Sequence, residues 1–465
     1  MAEHGSTSET TPSLRRQVLV AASLASFLTP YMGSSINVSL PTIGNEFGVD
    51  AVLLNWLATA FILATAVFIV PAGRLADIHG RKRVFVVGLL VYLAGTALCV
   101  HVPSVDLLIG VRVLQGIGSA MVFGTSVALL SSVYPPAERG RALGISIASV
   151  YLGLTLGPSI GGFLTHNFGW RAIFLVTIPL GLVALVLLLR IRGEWAEARN
   201  EPLDLVGSVL YGVGLCTLML GLSALPGTIG LILVGGGLAV FFLFGWWELR
   251  VPFPVIQLSL FRDNRVYLFS NLAALINYSA TFGIGFLLSF YLQHIRDLDA
   301  QTTGLILLSQ PLVQTVISPI AGRASDRIEP RLLASSGMAL MVIGLVLFAF
   351  LDRFTPVGLI FGVLMTIGLG YGLFSSPNTN AIMGAVERRF YGVASGMVAT
   401  MRLIGQLLSL EIVMLALVIF VGRVQLTDLY DEDLLGAIRI SFAVFAVLCT
   451  VGVCISLARG NRKDG

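Results

Sequence analysis

Three charged residues stand inside stretches that are otherwise apolar: Arg112, Arg402 and Glu411. A charged side chain near a bilayer centre costs roughly 2.5–3.5 kcal/mol on insertion scales, so such residues face a cavity or a partner. Glu411, in Leu408-Ser409-Leu410-Glu411-Ile412-Val413, is the acid set deepest in apolar sequence. A carboxyl there is suited to binding and releasing a proton as its exposure changes; the alternative is a structural acid, permanently protonated or hydrogen-bonded. Arg402 precedes it by nine residues. Steps of about 100° place the two on opposite helix faces, about 13 Å apart along the axis. They cannot pair, so one is expected to face a central cavity and the other a neighbouring helix. Arg112 lies in Arg112-Val113-Leu114-Gln115-Gly116-Ile117-Gly118, where snorkelling to an interface is the alternative to a role in a cavity.

A second constellation is Gly73-Arg74-Leu75-Ala76-Asp77-Ile78-His79-Gly80-Arg81-Lys82-Arg83, between two long apolar runs. Carboxylate–guanidinium pairing of Asp77 with the basic cluster, aided by helix-end dipoles, can hold two helix ends together in one conformation. Gly73 and Gly80 are expected to permit a tight turn. A weaker copy, Gly322-Arg323-Ala324-Ser325-Asp326-Arg327, follows in the second half. Gly153, Gly157 and Gly161 recur every four residues beside Pro158 and Gly162, giving a smooth strip for close helix contact next to a kink-permitting proline. Further polar side chains are candidates to line a cavity. These are Asn37, Gln115, Asn277 with Thr281, Gln310 with Gln314, and the segment Ser376-Pro377-Asn378-Thr379-Asn380. Residues four apart share a helix face, and the last segment is expected to interrupt its helix.

The elements that hold these residues must cross a bilayer. The chain has 465 residues, of which 12% are charged, and a mean hydropathy of +0.90; soluble domains carry about 25% charged residues. Apolar runs of about 20 residues span a membrane. Such runs fall at 18–40, 51–71, 84–102, 107–133, 142–164, 170–189, 205–225, 229–248, 266–292, 302–321, 332–351, 357–384, 392–421 and 437–458. All must be helical, because a lone strand leaves its backbone unpaired in hydrocarbon. With the N-terminus inside, 22 of the 29 Lys and Arg residues fall on the inner side and five on the outer, Arg112 and Arg402 being within helices. Both termini are therefore expected to be cytoplasmic. Cys99, Cys216, Cys449 and Cys454 all lie in apolar runs, which points to neither a disulfide framework nor a metal site.

The first basic turn resembles the G-x-L-a-D-r-x-G-r-k signature of the major facilitator superfamily, between helices 2 and 3 of those transporters. Arg112 to Gly116 resembles the family's R-x-x-q-G motif, which implies a role for Arg112 in substrate or proton coupling. Gly153-Leu154-Thr155-Leu156-Gly157-Pro158-Ser159-Ile160-Gly161-Gly162 is similar to G-x-x-x-G-P-x-x-G-G, associated in the family with antiporters and hence export. Ser376 to Met383 resembles P-N-x-x-A-i-M. Tyr31 to Pro41 resembles l-D-x-T-i-v-N-v-A-L-P, but the membrane aspartate falls on Met32, while Asn37, Leu40 and Pro41 are retained. That departure bears on cation preference and on the usual coupling site.

Two signature copies imply two related halves. Because the second copy lies between runs 10 and 11, the second half must begin at run 9. The expected organisation is a tail at 1–17, a six-helix bundle at 18–189, a linker and inserted hairpin at 190–263, a second six-helix bundle at 264–458 and a tail at 459–465. This all-α, fourteen-helix layout resembles the drug/proton antiporter branch of the family. The resemblance implies a cell-membrane exporter of an amphipathic small molecule (a drug, lipid or lipid-like metabolite), coupled to protons and working as a monomer by alternating access. Conformational roles then fall to Gly73, Asp77, Gly80, Arg81, Asp326, Gly153, Gly157, Pro158, Gly161 and Gly162, and proton coupling to Glu411 and Arg112. Substrate contact falls to Asn37, Gln115, Asn277, Gln310, Gln314, Asn378 and Arg402. An importer or uniporter of the same fold is the first rival. A membrane-embedded enzyme would need clustered catalytic groups, and none is evident. The sequence shows no phosphate-binding loop for ATP and no basic face for nucleic acid, and no cofactor is expected.

Overall fold

The computed structural model describes residues 12–196, 201–256, 258–325, 327–386, 391–422 and 431–460. Fourteen of its helices are long and apolar enough to cross a membrane. They are α1 (Pro12–Phe47), α2 (Ala51–His79), α3 (Arg81–Val100), α4 (Val105–Val133), α5 (Pro136–Phe168), α6 (Ala172–Arg190) and α7 (Leu205–Ser223). The series continues with α8 (Thr228–Glu248), α9 (Arg265–Ile295), α10 (Ala300–Ala324), α11 (Pro330–Phe348), α12 (Val357–Gly384), α13 (Tyr391–Phe420) and α14 (Asp431–Ala458). An even number of spans leaves both chain ends on one face, here the terminal face; the other is the far face.

Helix starts follow side-chain chemistry. Asp50, Ser104, Asp204, Asn264 and Asp299 each accept a backbone N–H from the first turn of the helix that follows, replacing bonds the helix cannot make internally. The first bundle packs α1 on α5 and α6, and α4 on α2 and α3. The second packs α9 on α13 and α14, α11 on α12 and α14, and α10 on α12. The bundles meet along α5 with α10, α2 with α13 and α1 with α9. Between them in sequence, α7 and α8 form a hairpin whose first helix rests on both α2 and α13. Its second helix is the less enclosed, with Phe242 at 80% and Ile229 at 70% exposure, and presents these apolar side chains outward as a lipid-facing helix must.

Several boundaries differ from the sequence expectation. Residues 12–17, expected in the tail, begin α1. Gly73 is not part of a turn: the helix runs through Asp77 to His79, and the reversal is made at Gly80 alone, with φ at +116°. The run around Pro377 is not interrupted, and α12 continues to Gly384. The break falls instead in α9, which stops at Thr281, resumes at Ile284 and ends in a π-helical turn from Tyr291 to Ile295. Backbone freed inside a membrane helix needs a local partner. Here Ser409 of α13 supplies it, its hydroxyl accepting the Gly283 N–H at 2.9 Å.

Candidate functional site

Arg112 is fully buried within the first bundle. Its Nε donates to the Leu57 carbonyl at 3.0 Å and its Nη1 to Gln115 at 2.6 Å, while the guanidinium stacks 4.2 Å from the Phe61 ring. Gln115 donates onward to Thr96 at 2.8 Å. Arg112 does not snorkel; it ties α4 to α2 and α3. Gln115, a candidate for substrate contact, is fully buried and occupied by this network.

The turn between α2 and α3 is held in a dense ionic clasp. Asp77 accepts from both Nε and Nη2 of Arg81, at 2.9 and 2.8 Å. Arg81 also donates to Ser132 on α4, so the pair fastens α2 and α3 to α4 inside one bundle. The linker after α6 completes the clasp, which the sequence pattern did not signal. Glu194 accepts the backbone N–H of Lys82 at 2.8 Å and of Arg83 at 3.1 Å, capping α3. Trp195 accepts the Arg81 N–H at 2.8 Å, and Glu201 pairs with Arg74 at 2.5 Å. A carboxylate on a helix N-terminus gains from both hydrogen bonds and the dipole. Asp326, in the second copy, lies outside the described residues.

The glycine strip of α5 faces two ways. A Cβ at Gly153 would stand 2.5 Å from the Phe27 carbonyl oxygen and one at Gly161 2.8 Å from the Ser35 Cβ, both on α1. Gly157 likewise meets Ser34, and its carbonyl accepts the Ser35 hydroxyl at 2.9 Å. Gly162 points the other way, against the Ala300 carbonyl of α10, and Gly304 answers against the Pro158 carbonyl. The strip is therefore the in-bundle contact with α1 and also the seam with the opposite bundle, toward the far face. Two further bonds close that side. Gln293 donates to the Val38 carbonyl at 3.0 Å, and Asn55 to the Leu410 carbonyl at 3.3 Å. Asp299 caps α10 there; backbone and hydroxyl hydrogen bonds from Thr302 hold its carboxyl below the usual carboxylate range. Asn37 is buried on α1, facing Gly285 of α9 across the same seam.

Glu411 is 3% exposed and accepts a 2.6 Å hydrogen bond from Ser223, the last residue of α7. It points at the inserted hairpin, where α13 meets α2 and α7. Arg402, on the opposite face of α13, reaches the other way across the bundle boundary and lies 5.3 Å from the Phe123 ring centroid of α4.

The remaining polar candidates divide. Asn277 is fully buried and donates to the Met341 sulfur at 3.5 Å; Asn378 bonds the Ser270 carbonyl and Arg459 at 3.0 Å each. Both join helices within the second bundle and are not free to meet a substrate here. Gln310 is half-buried, and Gln314 is buried one turn further along the same face of α10. Near mid-depth the bundles are joined by Thr155 to Thr315 at 2.9 Å and by Tyr151 to Ser375 at 2.7 Å. Tyr278 and Tyr371 lie edge to face with centroids 5.8 Å apart. Tyr151, Tyr278 and Tyr371 all stand at this boundary, as does Arg402. Sequence reasoning passed over the tyrosines. The available signal was depth, since tyrosines of membrane helices concentrate at the interfaces, whereas Tyr151, Tyr278 and Tyr371 each stand near the middle of a span.

Comparison with known proteins gives a consistent result. The sequence profile of the Major Facilitator Superfamily matches residues 22–410. The riboflavin transporter RibZ of Clostridioides difficile (strain 630) is 30% identical over 386 residues, covering 83% of this chain and 84% of that one. The multidrug resistance protein Stp of Mycobacterium tuberculosis (strain CDC 1551 / Oshkosh) is 33% identical over 396 residues, covering 83% of this chain and 73% of that one. Among solved structures, a bacterial homologue of the human lysosomal transporter Spinster, in an inward-facing and unoccupied conformation, aligns with a TM-score of 0.70 at 16% identity. The alignment covers 98% of both chains.

Proposed function

Because this chain belongs to the Major Facilitator Superfamily, whose members are membrane transporters, we propose that it is a proton-coupled exporter of an amphipathic small molecule. In this reading both termini are cytoplasmic, the far face is extracytoplasmic, and the bundles rock about the seam formed by α5 with α10 and α2 with α13. Closure of that seam on the far face supports one half of an alternating-access cycle, open toward the termini.

The observation that carries the coupling is the position of Glu411. A buried carboxyl that stands on a boundary between moving bodies changes its exposure whenever that boundary opens, which is what a proton carrier requires. Arg112 serves as a positioning residue in the first bundle, shaping α2 where it faces α13. The packing of Gly162 and Gly304 puts the α5 motif on the seam about which the bundles rock in this reading. Relatives named for multidrug resistance support a drug-like substrate. The relative named a riboflavin transporter supports a second reading, a carrier of the same fold for a vitamin-like heterocycle.

Reconstitution into proteoliposomes with an imposed pH gradient, against a panel of drugs, lipids and flavins, tests both readings. Substrate movement that follows the proton gradient in the opposite direction supports export by antiport. Movement indifferent to the gradient overturns it.

A further inference from the structure

Among the described residues, the charges set deep in the spans are Arg112, Arg402 and Glu411, and Arg402 alone of these makes no hydrogen bond. Arg112 is held by a carbonyl and an amide, and Glu411 by a hydroxyl. Arg402 is half-buried near the middle of α13, and among the described residues it is paired with no carboxylate; its contact is the Phe123 ring. A guanidinium at that depth without a counter-charge is costly. Among the described residues, none supplies an acid to it. Glu411 is on the opposite face of α13 and engaged by Ser223, and Met32 stands in α1 where the family resemblance places an aspartate.

Arg402 lies against the Phe123 ring, and three tyrosines stand at the same boundary. Phe123 and Tyr151 come from the first bundle, Tyr278 and Tyr371 from the second, and all four rings are half-buried on helices that face the bundle boundary. Tyr278 is set one turn from Arg402: its Cβ would stand 2.7 Å from a Cβ at Gly405. Rings placed edge to face leave π-faces and hydroxyls for a guest. Tyrosines offer this at low conformational cost, having only two rotatable side-chain bonds. A guanidinium over such a cage stacks on a planar guest and donates to a planar anion in a forked geometry.

Resting on the reading of the chain as an exporter whose two bundles rock against each other, we propose that Arg402, Phe123, Tyr151, Tyr278 and Tyr371, on the boundary between those bundles, form a binding site for a planar aromatic molecule bearing an anionic group. The rings hold the plane, and Arg402 selects the charge. A cationic aromatic molecule fits the rings but meets the guanidinium, so the site discriminates by sign. Because both bundles contribute rings, occupancy favours the conformation in which they are together.

The test is direct binding to purified full-length protein in detergent, without any gradient. Fluorescein and rhodamine 123 share a xanthene ring system and carry opposite charge at pH 8. Fluorescence polarisation should show saturable, tighter binding of fluorescein. Arg402→Gln should weaken fluorescein by at least about tenfold, the loss of one charge-assisted contact, and leave rhodamine 123 unchanged or tighter. Arg402→Lys, which keeps the charge, should lose less, and Tyr371→Leu should weaken both dyes. Variants are compared only when they elute as a single species on size exclusion, and Arg402→Met serves as the charge-removing variant if Arg402→Gln does not. Tighter binding of rhodamine 123, no saturable binding of fluorescein, or a fluorescein affinity in the charge-removing variant within about twofold of wild type overturns the proposal. Binding is read without a gradient, so a failure of proton-coupled export leaves this result standing, and the converse also holds.

Discussion

Ser223, which ends α7, donates a 2.6 Å hydrogen bond to Glu411 in α13. The hairpin that carries Ser223 is fastened to the first bundle at two levels: Tyr211 of α7 donates to the Ala66 carbonyl of α2 at 3.1 Å, and the linker before α7 clasps the turn between α2 and α3 through Glu194 and Glu201. Glu411 belongs to the second bundle. The Ser223–Glu411 bond therefore spans the boundary between the two, and any motion that separates α2 from α13 on the far face breaks it.

Glu411→Gln should abolish transport driven by a pH gradient while preserving substrate exchange across the membrane, because glutamine mimics a protonated carboxyl that never releases its proton. Counterflow and gradient-driven uptake in the same proteoliposomes separate these. Gradient-driven transport at the wild-type rate would move the coupling group elsewhere.

Gly162→Val and Gly304→Val should each wedge the seam between α5 and α10. A side chain at either position meets a backbone carbonyl that cannot swing away, and overpacking of this kind costs about 1–3 kcal/mol. A cysteine placed at Asn55, in a background lacking the four native cysteines, should become more reactive to a membrane-impermeant thiol reagent from the far face. Unchanged reactivity would mean that the seam absorbs the methyl groups.

Asp77→Asn should slow transport several-fold, on the order of 1 kcal/mol in the barrier between states, with membrane insertion intact. The substitution removes the carboxylate that holds Arg81. Glu194→Gln should act at the same place by weakening the cap on α3 and lowering thermal stability, the usual cost of losing a cap being about 1 kcal/mol. Initial rates and a melting curve read the two effects. Wild-type rates for both variants would reduce the clasp to a topology signal.

Cysteines introduced at Gly48 and at Gly193 should be labelled from opposite sides of the membrane, Gly48 from outside the cell and Gly193 from inside. Labelling of position 193 from outside the cell would invert the topology.

The sequence by itself determined the spans and their number. These depend on hydropathy summed over about 20 residues and on turn signals such as Gly80, both local properties of the chain. It also placed Arg402 and Glu411 on opposite faces of one helix, because helical pitch is fixed. Tertiary structure decided what each buried group meets. Gln115 looks like a cavity residue in sequence but is consumed by Arg112, and Asn277 and Asn378 are consumed by neighbours in their own bundle. The break in α9 was hidden because Ser409, more than a hundred residues away, satisfies the freed Gly283 N–H. Tyr151, Tyr278 and Tyr371 carry no pattern along the chain. They converge only because three helices from two bundles cross at one depth, and proximity between distant helices is fixed by packing, which no local spacing encodes.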